Sequence, residues 1–173
     1  MQKLSHPNIV KTLELHIDQE QGYVYYVMEY CKGTTLQALV EVENRIHPSE
    51  VRKYFSQLVA GVFYLHSNNI VHRDLSPNNI IVMKKASINE PKDGARPEVK
   101  IIDFNIAKFF SFEDMVVGGG KFLFRMHTET GTVNYRAPEI INQGSPYTEA
   151  VDIWSLGCLL YRMVEGKDPF YEE

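Results

Sequence analysis

Residues 152–164 read Asp-Ile-Trp-Ser-Leu-Gly-Cys-Leu-Leu-Tyr-Arg-Met-Val, apolar almost all the way round at helical spacing. A helix of that kind needs cover on every side. Only nine residues follow it, and they are polar or turn-forming. Part of what should bury this helix is therefore expected to be missing from the chain. A second helix is written at 48–67, where Val51, Tyr54, Phe55, Leu58, Val59, Val62 and Leu65 recur at the spacing of one helical face. With 173 residues, 44% of them hydrophobic and 23% charged, the chain is long enough for one domain around one sizeable core.

The rest of the pattern is lighter. Residues 23–30, Tyr-Val-Tyr-Tyr-Val-Met-Glu-Tyr, are aromatic and β-branched and predict a strand. Cys31-Lys32-Gly33-Thr34-Thr35 breaks it before a short helical run from Leu36. Three short apolar runs, at 70–71, 80–82 and 99–102, predict small strands around a loop. The charged, proline- and glycine-containing stretch 84–98 reads as an exposed hairpin loop. Gly118-Gly119-Gly120-Lys121 lacks the spacing of a phosphate-cradling loop and reads as a flexible patch.

A net charge of −4 does not mark the chain for nucleic acid or a membrane surface. Cys31 and Cys158 lie far apart, without metal-ligand spacing, and read as thiols of a reducing compartment. The first residues carry no apolar leader and no stretch has spanning length, so an intracellular protein, cytoplasmic or nuclear, is expected.

The strongest chemical signal is His72-Arg73-Asp74-Leu75-Ser76-Pro77-Asn78-Asn79. It is followed by Asp103-Phe104-Asn105, then by Gly131-Thr132-Val133-Asn134-Tyr135-Arg136-Ala137-Pro138-Glu139, then by Asp152-Ile153-Trp154-Ser155-Leu156-Gly157. In order and spacing these resemble the catalytic loop, metal-binding loop, substrate-binding segment and central helix of the eukaryotic protein kinases, serine/threonine type. The resemblance implies an α+β fold: mostly the helical large lobe (36–173), a hinge (31–35) and a remnant of the small β lobe (1–30).

The same resemblance implies ATP and Mg2+ as cofactors and a protein hydroxyl as acceptor. Asp74 matches the carboxylate that takes or orients the acceptor's proton. Asn79, five residues on, and Asp103 match the metal ligands. Hard oxygen donors suit magnesium bound against phosphates. Thr132 joins the catalytic set. Arg73 matches a support that pairs with a phosphorylated activation segment, with Thr128 or Thr130 as the residue an upstream kinase would modify. Met28 would guard the back of the adenine pocket. The Glu29 carbonyl and Cys31 amide would meet the adenine edge, and Ile81 would form its floor. His72 is expected to pack, and Asp152 to start its helix and hydrogen-bond the catalytic-loop backbone.

Three departures accompany the match. The glycine-rich phosphate loop, its strand lysine and the helix glutamate are absent from these residues, as are the helices expected after the central one. Ser76 stands where a lysine is usual, removing a positive charge and one partner of Thr132. Asn105 replaces a glycine, and its tolerance of positive φ predicts a survivable loop at about 1 kcal/mol.

Two functions stay open. One is an ATP- and Mg-dependent serine/threonine kinase, weakly active or inactive in this chain alone. The other is a non-catalytic kinase-like interaction module. Keeping Asp74, Asn79 and Asp103 together favours the first, since a scaffold has no chemical need for all three.

Overall fold

A computed structural model describes residues 4–83, 98–109, 115–118, 121–124, 131–141 and 147–170, the stretches 115–118 and 121–124 by their backbone alone. Helices and small antiparallel sheets occupy separate parts of the chain, an α+β arrangement. Strands β1 (Thr12–Asp18) and β2 (Tyr23–Met28) form a hairpin. Thr12 is its one fully buried side chain, and every residue of β2 is exposed. The expected strand thus ends at Met28, and its partner β1, where Leu13, Leu15 and Ile17 alternate with polar residues, is a further strand not expected above.

Strand β3 (Gly33–Thr35) lies inside the stretch read as a break. It pairs with β5 (Ile80–Met83), which pairs in turn with β6 (Val99–Ile101). Gly33 is required there: a Cβ would sit 2.2 Å from the Val82 carbonyl oxygen. The segment Asn8–Val10 extends this sheet. The Ile101 amide donates to the Asn8 carbonyl at 2.8 Å, and the Val10 amide to the Ile101 carbonyl at 2.9 Å.

Helix α1 (Leu36–Glu43) starts where the Thr35 hydroxyl accepts from the Ala38 amide at 3.1 Å. Helix α2 (Pro48–Ser67) has Pro48 in its first turn, where no amide partner is needed. It buries Val51, Tyr54, Leu58, Gly61, Val62 and Leu65. Val59, expected on that face, is instead exposed. The helix rotates so that Gly61 can press against Ile9 and Ile101, whose Cδ1 atoms would meet a Cβ at 3.4 and 3.0 Å.

Strand β4 (Ile70–Val71) pairs with β7 (Lys108–Phe109). Strands β8 (Met115–Gly118) and β9 (Lys121–Phe124) pair with Gly118 opposite Lys121. The stretch read as a flexible patch therefore holds two paired strand ends, separated by Gly119 and Gly120.

Helix α3 (Pro138–Ile141) precedes α4 (Ala150–Glu165), which ends where Gly166 takes the left-handed conformation at φ 77°. A Cβ on Gly166 would meet the Asn44 carbonyl oxygen at 1.6 Å, so the end of α4 is pressed onto the loop after α1. Val151, Asp152, Ser155, Leu156, Cys158, Leu159 and Met163 are buried, whereas Ile153, Trp154, Tyr161 and Val164 are exposed. Among the described residues one face of α4 is covered, and Phe170 stacks on Trp154 at 5.6 Å.

The core joins α1, α2, α4 and the β3-β5-β6 sheet around Leu36, Leu58, Leu65, Ile80, Ile101 and Leu159. No helix among the described residues is long and apolar enough to cross a membrane.

Candidate active site

The loop between β4 and β5 is fixed from beneath by α4. Asp152 lies in the first turn of that helix with no solvent exposure. Its Oδ2 accepts from the His72 amide at 2.9 Å and its Oδ1 from the Arg73 amide at 2.9 Å. The His66 ring Nε2 lies 2.9 Å from Oδ2. A carboxylate taking main-chain donors makes strong, charge-assisted bonds. These hold Arg73 at φ 68°, a left-handed conformation that a side chain with a Cβ adopts only under constraint.

His72 is fully buried. Burial lowers its pKa, against the opposing field of Asp152. The Asp74 amide reaches its Nδ1 at 3.3 Å and its Nε2 lies 3.1 Å from the Ile102 carbonyl. These contacts assign the neutral tautomer with the proton on Nε2. Phe104 packs edge-on against the ring at 4.8 Å.

Asp74 is held on both oxygens. Oδ1 accepts from the Thr132 amide at 2.8 Å and the Thr132 hydroxyl at 2.9 Å. Oδ2 accepts from Asn79 Nδ2 at 3.0 Å, and the same Nδ2 donates to the Asp74 carbonyl at 2.8 Å. Gly131 permits this approach. It sits at φ 94°, and a Cβ there would lie 2.5 Å from the Arg73 carbonyl oxygen.

Asp103 is brought beside this group because the Ile102 amide donates to the Asn79 carbonyl at 2.9 Å. Asp103 itself is left-handed, φ 61°, and its Oδ1 caps the Asn105 amide at 3.1 Å. Asn105 does not take the positive φ expected of it; the loop turns one residue pair earlier, at Asp103, where the carboxylate closes a short turn on the Asn105 amide.

Among the described residues, Asn79 Oδ1 and Asp103 Oδ2 accept no hydrogen bond. Two hard oxygen atoms with open lone pairs fit magnesium, which takes few protein ligands when phosphates complete its shell. No cluster of three His, Cys, Asp or Glu side chains suited to a metal occurs among the described residues.

Arg73 directs its side chain at the activation-segment side. Nε donates to the Ile106 carbonyl at 2.6 Å, Nη2 to the same oxygen, and Nη1 to the Tyr147 hydroxyl at 3.4 Å. Thr128 and Thr130 lie outside the described residues. Ser76 is buried, and its hydroxyl has no partner among the described residues.

The residues read as adenine contacts lie at the end of β2, in the stretch after it and in β5. Met28 closes β2 opposite Thr12, and is half-exposed. Glu29 follows, with its amide on the Lys11 carbonyl at 2.9 Å. Its pKa is lowered: burial acts upward, but the bonds from Lys100 and the Lys11 amide outweigh it. Cys31 packs against the core, where burial raises its thiol pKa. Ile81 stands in β5 directly opposite Lys100 of β6.

Two features escaped sequence reasoning. Lys100 was hidden within an apolar strand run, although a lysine at such a position is itself a signal. Asp168 accepts from the Tyr135 hydroxyl at 2.5 Å and Asn134 Nδ2 at 2.9 Å, while the Ser155 hydroxyl donates to the Tyr135 carbonyl at 2.7 Å. These bonds anchor the segment that carries Thr132. Burial and the Asp168 bond push the Tyr135 phenol pKa strongly upward.

Comparison with known proteins gives a consistent result. The family described as "Protein kinase domain" matches residues 1–173. Serine/threonine-protein kinase chk-2 of Caenorhabditis elegans is 40% identical over 178 residues, covering 100% of this chain and 33% of that protein. The SNF1-related protein kinase catalytic subunit alpha KIN12 of Arabidopsis thaliana is 36% identical over 170 residues, covering 98% of this chain and 30% of its own. Serine/threonine-protein kinase 36 of Pongo abelii is 36% identical over 172 residues, 99% of this chain and 11% of that protein. The chain spans a third or less of the length of these relatives.

Proposed function

Because this chain belongs to the protein kinase family, serine/threonine type, we propose that it transfers the γ-phosphoryl group of ATP to a protein hydroxyl. One observation carries the reading: Asp74 is fixed by donors on both carboxylate oxygens, beside two metal-suited oxygens of Asn79 and Asp103 that accept no hydrogen bond among the described residues.

Phosphoryl transfer is chiefly positioning and charge neutralisation. Asp74 orients the acceptor alcohol and receives its proton as the new oxygen–phosphorus bond forms and the bond to the departing ADP oxygen breaks. Thr132 sets the direction of Asp74 Oδ1. Asn79 uses Nδ2 to hold Asp74, which leaves its Oδ1 for a cation, and Asp103 supplies the second oxygen. Asn79 Oδ1 and Asp103 Oδ2 would hold a magnesium ion, which would supply positive charge against the phosphates. Glu29 and Cys31 offer main-chain groups to the base, with Met28 behind it and Ile81 below. Residues 1–30, 31–35 and 36–173 then serve as small-lobe portion, hinge and large-lobe portion. Arg73 is the site that would answer phosphorylation of Thr128 or Thr130 by an upstream kinase.

The test is phosphate transfer from Mg-ATP to protein acceptors by the completed kinase domain, with and without Asp74→Asn. The variant is expected to lose at least about 100-fold in rate. Equal rates in the two would remove the mechanism. Ser76, in the position of a lysine, favours a second reading, a nucleotide-independent binding module. Its mark would be the absence of any thermal stabilisation by Mg-ATP, since a competent site must stabilise the fold on binding.

A further inference from the structure

Lys100 is the one lysine or arginine that is buried among the described residues. It lies in β6 between Val99 and Ile101, both without solvent exposure. Burying an ammonium costs free energy that an apolar side chain would not incur, and a buried ion pair is a weak source of net stability. Its place calls for another reason.

Its Nζ reaches Glu29 Oε1 at 2.5 Å, and the same oxygen accepts the Lys11 amide at 2.8 Å. With its own amide on the Lys11 carbonyl, Glu29 is thus fixed at both main chain and side chain. Two residues on, Cys31 packs against the core; the hairpin before Glu29 adds little. The hairpin that leads into Glu29 buries Thr12 alone, and all of β2 faces solvent. On the other side, Lys100 stands directly opposite Ile81, and directly opposed residues in a sheet project from the same face. Three residues further along the chain is Asp103. One ammonium therefore ties the peptide groups read as the adenine edge to the strand pair that carries both the floor and the metal-binding carboxylate.

We infer that Lys100 is a positioning residue for the nucleotide base: through Glu29 it sets the main chain at 29–31 relative to Ile81, so that base recognition depends on a side chain that does not touch the phosphates. The inference rests on the nucleotide-binding reading of the site and adds to it a residue outside the family motifs quoted above.

The experiment measures binding of Mg-ATP and of Mg-tripolyphosphate, which has no base, to the full chain by calorimetry. The variants are Lys100→Met, Glu29→Gln and the double substitution. The double variant leaves no unpaired buried charge, and Glu29→Gln alters a half-buried side chain that keeps its acceptor oxygen, so folding does not hinge on one substitution. ATP affinity is expected to fall about fivefold or more in Lys100→Met and in the double variant, and about threefold in Glu29→Gln. Tripolyphosphate affinity is expected to stay within about twofold throughout. Unchanged ATP affinity in the variants overturns the inference. Equal losses for both ligands also overturn it, because they indicate a general loosening. If the unsubstituted chain binds tripolyphosphate and ATP equally, base recognition is absent and the inference falls alone; if it binds neither, the nucleotide reading falls with it.

Discussion

Replacing Asp152 by asparagine tests whether the loop between β4 and β5 is held from below by a single carboxylate. The side chain accepts the His72 and Arg73 amides, at 2.9 Å each, in a place without solvent. An asparagine has one oxygen and one NH2 group, so it can satisfy one of those amides and must turn a donor toward the other. A buried amide left without an acceptor costs about 1–3 kcal/mol, and exchanging the remaining charged acceptor for a neutral one removes about 1 kcal/mol more. The expected loss is roughly 2–4 kcal/mol. For a chain of this size that corresponds to a fall in Tm of roughly 4–16 °C. Urea and thermal melts of the two proteins, followed by circular dichroism at fixed pH, measure it. A change below about 0.5 kcal/mol would refute the reasoning, because it would mean that the loop amides find other acceptors.

Three further outcomes are expected. Gly33→Ala should break the pairing of β3 with β5, since its Cβ would sit 2.2 Å from the Val82 carbonyl; a loss of about 2 kcal/mol or more in a urea melt checks it. Leu58→Ala removes a side chain with no exposure from the centre of the core and should cost about 2–5 kcal/mol by the same measurement. The Glu29 carboxyl titrates below its ordinary value of 4.5 in the folded chain, so its contribution to stability is complete above that value and is lost as pH falls through the folded pKa. Stability measured from pH 6 downward, compared with Glu29→Gln, should show the variant with the shallower acid decline; identical slopes would contradict this.

The order of motifs from His72 to Gly157 made the fold legible because each residue type in them answers a local demand of backbone or chemistry. Asp74 and Asn79 are hydrogen-bonded to each other, and Ile102, the residue before Asp103, donates its amide to the Asn79 carbonyl. What stayed hidden was set by neighbours distant in sequence. Strand β1 alternates apolar and polar residues as a strand does, yet Leu13, Leu15 and Ile17 are exposed, so the alternation marks no core face. Val59 faces out because Gly61, featureless in a hydropathy pattern, permits the closer approach. The apolar composition of α4 could not disclose which side was covered; that depends on where the rest of the chain lies. Asn105 carried the expectation of a left-handed turn by its identity alone, whereas the Asp103 carboxylate, closing on the next amide but one, places the turn at itself.

Thr132 offers Asp74 an alcohol of its own. Its hydroxyl rests on Oδ1 at 2.9 Å, in the kind of contact that an incoming serine or threonine would seek. On the proposed mechanism, an acceptor that sought this oxygen would have to displace the resident hydroxyl, and its apparent affinity would be lowered by the bond given up.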